Sequence, residues 1–278
     1  AIDGAPALDS VSGRITTSGA AFAAPNLRLA LTDLDTTLDL AGGSVRIDAE
    51  SAVETGGQVA ASGSINLTSL AADLQVALRS VGFVDPRLFS TVLDGAISVD
   101  GPLTGGARLA GTIDVGETLV TVPSSGLTSI GEIPDITHVG APAAVTSTRR
   151  RADVIPEPET AGAGGTARPY RLGIQINAPR RIFVRGRGID AELGGGLEVT
   201  GTTARVIAAG QFELVRGRLD ILGKRFDLVE GSIQFQGDLV PYIRFVTSSS
   251  TENGTAGIVL DGPARTPDVS FISPPEAP

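Results

Sequence analysis

The chain has no cysteine, methionine or tryptophan, a single histidine, and only two tyrosines and nine phenylalanines in 278 residues. Without cysteine there is neither a disulfide framework nor a thiolate metal site. The lone His138 sits in a stretch without strand or helix patterning, with no oriented nucleophile beside it, which removes Ser-His-Asp chemistry. No apolar run reaches eighteen residues, so nothing reads as a helix that spans a bilayer. Basic residues are also in short supply, 22 against 31 acidic for a formal charge of −9. Most of them alternate singly along the chain. Phosphate-backbone binding needs them concentrated, so nucleic acid is not expected as a partner. There is no initiator methionine and no signal-peptide pattern, and the sequence opens mid-pattern at "AIDGAPALDS"; the expectation is a fragment of something longer.

What is present is glycine (36), proline (17) and an apolar fraction of 41%, carried largely by valine, isoleucine and leucine in short alternating runs. That is an all-β composition. In "GRLDILGKRFDLVEGSIQFQG" (217–237), Leu219 and Ile221, Phe226 and Leu228, and Ile233 and Phe235 alternate with polar residues between glycines. A period of two puts each apolar set on one strand face, so the stretch reads as three short strands sharing a greasy side. Similar runs fill 27–40, 42–53, 56–67 and 72–81. One helix is predicted near 85–93, with Asp85 as cap, Pro86 in the first turn, and Leu88, Val92 and Leu93 on one face. Residues 134–170, rich in Pro, Ala, Gly and Thr, cannot bury enough apolar surface to offset ordering and read as a flexible loop or linker. The expected organisation is a β-trough part over 1–133, this linker, and a second trough part over 171–278.

A weak internal repeat lays 95–122 on 195–222 with a one-residue slip, pairing Gly101 with Gly201 and Gly111 with Gly210. The shared unit is strand, glycine turn, strand, glycine bulge, strand. Roughly 16 to 20 strands at about 4.8 Å each would make a sheet roughly 80 to 95 Å long. Open sheets of more than about ten strands curl or split, which suggests an elongated, antiparallel-rich sheet curled into a taco-like open trough with an apolar interior. The expected inward residues are Leu197, Val199, Phe212, Leu214, Leu219, Ile221, Phe226, Leu228, Ile233, Phe235, Ile243, Phe245, Ile258 and Leu260. Periodicity alone leaves two readings open: such a face meets a ligand, or it meets itself as the core of a sandwich or solenoid.

No stretch carries catalytic, cofactor or metal chemistry. "GRGIDA" (186–191) fits the loose dinucleotide pattern, but "ELGGGLEVTG" cannot supply the helix whose amides would meet a pyrophosphate. "GAGG" (162–165) lacks the Lys-Ser/Thr of a phosphate loop. Asp33, Asp35 and Asp39 alternate with leucines and read as solvent-facing strand carboxylates, since no turn glycine or bidentate glutamate follows. The glycosylation-like triplets at Asn66 and Asn253 are of a kind common by chance, and the arginines at 149–151 read as a solubilising spot.

From about residue 181 onward, "RIFVRGRGIDAELGGGLEVTGT", "GQFELVRGRLDILGKRFDLVEGSIQFQGD" and "DGPARTPDVSFISPP" resemble the C-terminal conserved domain of the TamB family, the periplasmic subunit of the translocation and assembly module. "FVDPRLFSTVLDGAISVDGPLTGGARLAGTIDVGETLVTVP" (83–123) is similar to the stretch that precedes it in such proteins. The resemblance implies a taco-like β-trough and a periplasmic location, with an inner-membrane anchor helix absent from this sequence. It also implies a partner, an outer-membrane Omp85-type barrel protein with POTRA domains (TamA-like). The related AsmA-like proteins imply phospholipid acyl chains as cargo. The alternatives are a chaperone pairing strands with nascent outer-membrane proteins or autotransporters, and a purely structural β-array. An enzyme is not expected.

Overall fold

A computed structural model describes residues 12–24, 29–122, 145, 168–221, 223–251 and 254–272. Among the described residues fifteen strands form one sheet. In chain order they are β1 (Gly13–Ala24), β2 (Leu29–Ala41), β3 (Ser44–Val53), β4 (Gln58–Asn66), β5 (Ala71–Asp85), β6 (Phe89–Pro102), β7 (Arg108–Val115) and β8 (Thr118–Thr121). After the long connection come β9 (Arg171–Gly186), β10 (Ile189–Thr202), β11 (Arg205–Ile221), β12 (Lys224–Gly237), β13 (Tyr242–Thr251), β14 (Gly254–Pro263) and β15 (Asp268–Ile272). Residues 124–167 separate as a second unit. The loop expected over 134–170 falls there, so apart from Val145 and Arg168–Tyr170 it lies outside the described residues, and so does His138.

Neighbours in the sheet are neighbours in sequence, all antiparallel, with one exception. β7 and β8 occupy a single lane beside β6 and both run parallel to β9. Gly116 bends the chain between them, its N–H donating to the Val92 carbonyl at 2.8 Å. The chain enters β9 at Tyr170, whose hydroxyl donates to the Leu103 carbonyl at 2.5 Å and whose N–H donates to Thr203 Oγ1 at 3.1 Å. This aromatic staple fixes the one parallel junction to the hairpin ends on either side of it.

The helix predicted near 85–93 is not formed. Asp85 ends β5, residues 86–88 turn, and Phe89 begins β6. Asp85 Oδ1 accepts from the Arg87 N–H at 2.9 Å and its carbonyl from Leu88 N–H at 3.1 Å. Asp followed by Pro serves position i and i+1 of a type I turn as readily as a helix cap. Antiparallel pairing of Phe83 with Thr91 and Val81 with Leu93 then decides between them. Val92 and Leu93, expected on one helical face, point to opposite faces of a strand.

The strands are also fewer and longer than the glycine spacing implied. The stretch read as three short strands over 217–237 is the end of β11 and all of β12, which runs fourteen residues straight through Gly231. Gly95, Gly111, Gly195 and Gly210 likewise lie inside strands. At Gly111 a Cβ would collide with the Ala96 carbonyl oxygen and come within 2.8 Å of Ile97 Cα; at Gly210 it would collide with the Gly196 carbonyl and come within 2.9 Å of Leu197 Cα. Gly111 and Gly210, the second pair matched by the sequence repeat, therefore do the same job, letting one strand's backbone close on the strand before it.

Bulges fold the sheet along its middle. Pairing breaks between Thr32 and Asp35, Leu78 and Val81, and Leu193 and Gly195. At or opposite these breaks Asp33, Ser80 and Arg181 hold positive φ of 50°, 50° and 76°. A bulge bends its strand and increases local twist. Acidic side chains secure two of these irregularities: Asp94 Oδ1 accepts from Ser80 N–H at 2.7 Å, and Asp35 Oδ1 from Gly19 N–H at 3.0 Å. Asp39, the third carboxylate of that run, accepts from Arg14 Nε at 2.6 Å, a bond that holds it below the usual carboxylate range. The product is one long, curved, antiparallel-rich sheet consistent with a taco-like trough. Its fully enclosed part is thin: Val53, Val81, Leu193 and a handful of alanines are buried, and no large side chain among the described residues is completely buried.

Candidate functional site: an apolar groove

Lateral rows of side chains cross the concave face. Leu193 pairs with Leu214, Gly231 with Phe245, Phe245 with Leu260 and Leu260 with Val269. A parallel row joins Gly195, Phe212, Ile233, Ile243 and Gly262. A third takes in Ala191 with Gly217, Leu228 with Thr247, and Ile258 with Phe271. Since side chains alternate faces along each strand, register transmits the apolar face from β10 to β15, and the shifts at Glu192/Leu193 and Leu228/Glu230 restore the same face on either side of them.

Between these rows lies a cavity of about 260 Å³, bounded by Val184 from β9, Ile189, Ala191 and Leu193 from β10, Leu219 from β11, Leu228 and Ile233 from β12, Ile243, Phe245 and Thr247 from β13, and Ile258 and Leu260 from β14. Thr247 contributes the lining's only polar side-chain atom. Its Oγ1 is spent on the backbone of β14, accepting from Ile258 N–H at 2.9 Å and donating to the Ile258 carbonyl at 3.2 Å. The wall therefore offers a guest no hydrogen-bonding side chain and no charge.

Seven of the fourteen residues expected to face inward bound this cavity: Leu219, Leu228, Ile233, Ile243, Phe245, Ile258 and Leu260. The others extend the same face. Phe212 and Phe235 meet edge to face, their centroids 6.4 Å apart at 80°. Leu197 pairs with Gly210 and Val199 with the buried Ala208. Phe226 pairs with Leu219, and Leu214 lies against Gly231. Ile221 stands at a strand end beside Lys224 and is exposed. Val184, Ile189, Ala191, Leu193 and Thr247 were missed. Alternation in "RIFVRGRGIDAEL" and "YIRFVT" carries the signal for all five.

The convex face is the chemical opposite. Arg218 reaches Asp190 at 2.8 Å and Asp220 at 3.7 Å, Arg225 reaches Asp220 at 3.3 Å, Arg185 reaches Asp190 at 3.4 Å and Arg216 reaches Glu192 at 2.8 Å. Apart from Asp220, these residues line a charged, solvent-open hollow of about 420 Å³ together with Phe183 and Asp227. Where both partners are exposed, as in all but the Arg216–Glu192 pair, such pairs contribute little stability, about 0 to 1 kcal/mol each. What they do is balance charge and keep the outer surface wet. Among the described residues no group of three or more acidic or histidine side chains is arranged to hold a metal ion, and no helix is long and apolar enough to cross a membrane.

A family model described as the TamB C-terminal domain matches residues 47–278, well over half of the chain. No curated protein matches it.

Proposed function

The chain belongs to the family of the TamB C-terminal domain, and from that premise we propose that its groove conducts phospholipid towards the outer membrane by sheathing acyl chains. Membership places the chain in the Gram-negative envelope with a role tied to the translocation and assembly module. The finer reading is ours. It is supported by one observation above the rest: a cavity whose only polar side-chain atom is already hydrogen-bonded, on a face where no large side chain is completely buried. A lipid tail is worth about 0.8 kcal/mol per CH₂ kept from water, so a continuous apolar wall lowers the cost of passage with no chemistry at all. Headgroups ride at the open slot. In the same reading residues 134–170 link the trough parts 1–133 and 171–278, an anchor helix outside this sequence holds the full-length protein at the inner membrane, and a TamA-like barrel receives the far end.

Native mass spectrometry of gently purified protein tests this. Bound phospholipid at fixed stoichiometry is expected, and its absence under conditions that preserve the fold would sink the proposal. Phe235→Asp, which places a charge beside Phe212 on the lining, is expected to abolish lipid carriage while leaving the strand circular dichroism signal intact.

A second reading has its own observation. Among the described residues β15 pairs only with β14, and on it Phe271 is 80% exposed and Val269 58% exposed. An open edge with apolar side chains suits strand addition by a nascent outer-membrane protein. Photocrosslinks concentrated on β15 backbone-facing positions, with none in the groove, favour this reading over the first.

A further inference from the structure

The glycines on the concave face are of two kinds, and the second kind points to a device that sets the bore. At Gly111 and Gly210 the missing Cβ leaves room for a neighbouring backbone. At Gly231 it leaves room for a side chain. A Cβ there would stand 2.7 Å from Cδ1 and Cε1 of Phe245 and 2.9 Å from Leu214 Cβ. Gly217 has a related arrangement, with Leu228 Cδ1 at 2.7 Å and Ala191 Cβ at 2.9 Å, and with Ala191 Cα at 3.1 Å as well. Neither glycine has a positive φ, so the backbone does not require glycine at either position. What requires it is the packing of Phe245 and Leu228 flat against the floor. Both residues bound the 260 Å³ cavity.

We infer that Gly231, seconded by Gly217, is a specificity-determining residue of the groove: it seats the Phe245 ring low enough for an alkyl chain to pass above it. The inference rests on the reading of the groove as an acyl-chain site. A methyl group at 231 meets the ring on one side and Leu214 Cβ, which its own backbone holds in place, on another, so the ring is the group free to yield. To regain an ordinary contact of 3.5 to 4.0 Å the ring must rise by about 1 Å, and the open direction is into the cavity. The register makes the effect local, because Phe245 is the direct partner of Gly231 across β12 and β13.

The test compares the full chain with Gly231→Ala, Phe245→Leu and the double variant, using dansyl-labelled undecanoic acid as probe and urea unfolding as the control for folding. Gly231→Ala is expected to weaken probe binding by about 10- to 200-fold, the range for one methylene of misfit in an apolar pocket. Adding Phe245→Leu, which removes the ring that was pushed up, is expected to restore it. If the unaltered chain does not bind the probe, the acyl-chain reading itself falls. If it binds and Gly231→Ala binds equally well, or the double variant stays weak, the inference is overturned and the reading stands. Phe245→Leu alone adds no atoms, and it decides the matter should Gly231→Ala fail to fold. The wider groove is expected to take a methyl-branched fatty acid that the unaltered chain rejects, and identical selectivity would overturn the inference.

Discussion

Thr247 is 3% exposed, and its hydroxyl fills a gap in the ladder between Val246–Val259 and Ser249–Ala256, where β13 and β14 do not pair directly. One side chain thus satisfies the Ile258 N–H and carbonyl while turning its methyl group to the groove. Thr247→Val keeps the shape and removes both bonds, stranding the half-buried Ile258 N–H. The expected cost is about 1–3 kcal/mol, read as a lower urea midpoint, with probe affinity in the surviving folded fraction unchanged. A loss of affinity without loss of stability would assign the hydroxyl to the ligand instead. At this scale the sequence was only partly legible. Alternation placed Asp35 and Asp39 on the outer face, yet it carried no hint that Asp35 would cap the backbone of β1 at Gly19 or that Asp39 would clip Arg14. Such partners are sixteen and twenty-five residues away, and no local pattern encodes them.

Among elements, the misread features share one cause: residues that punctuate a chain do so according to what they pair with. Asp85-Pro86 has the chemistry of a helix start and of a turn, and the long-range match of β5 with β6 selected the turn. Glycine inside an alternating run reads as a joint, but Gly231 and Gly210 lie within strands of fourteen and seventeen residues. The repeat survived this error because it depended on spacing alone, and Gly111 and Gly210 both let a carbonyl of the preceding strand approach closely, although only Gly210 has a positive φ. The difference between the two kinds of glycine is measurable. Gly210→Ala puts a methyl group into the Gly196 carbonyl, in a backbone with φ of 146°, where nothing can yield except the sheet. It is expected to destabilise by more than about 4 kcal/mol, in the exceptional tail of single substitutions. Gly231→Ala, which meets only side chains, is expected to leave most of the stability in place. Equal urea midpoints for the two variants would contradict the distinction.

For the molecule as a whole, period-two alternation was enough to give the all-β class and one apolar face, because register propagates a face from strand to strand. It located half of the expected lining around the cavity. It could not say how far the sheet closes, which depends on the bulges at Thr32, Leu78 and Leu193, and these leave no signature in composition. The resulting architecture has a consequence for stability. Strands touch chiefly their ladder neighbours, and among the described residues no fully buried large side chain ties distant strands into a shared core. A sheet built this way behaves as a one-dimensional array, with stability summed over neighbouring interfaces. Damage at one end should stay there. Ile258→Asp, on β14 in the row of Phe271 and on the cavity wall, is therefore expected to lower amide protection in β13 to β15 by hydrogen exchange while leaving β3 to β6 at their original protection, since local opening follows local contacts. Uniform loss of protection across the sheet would mean a single cooperative core and would contradict the open trough from which the proposed lipid path is derived.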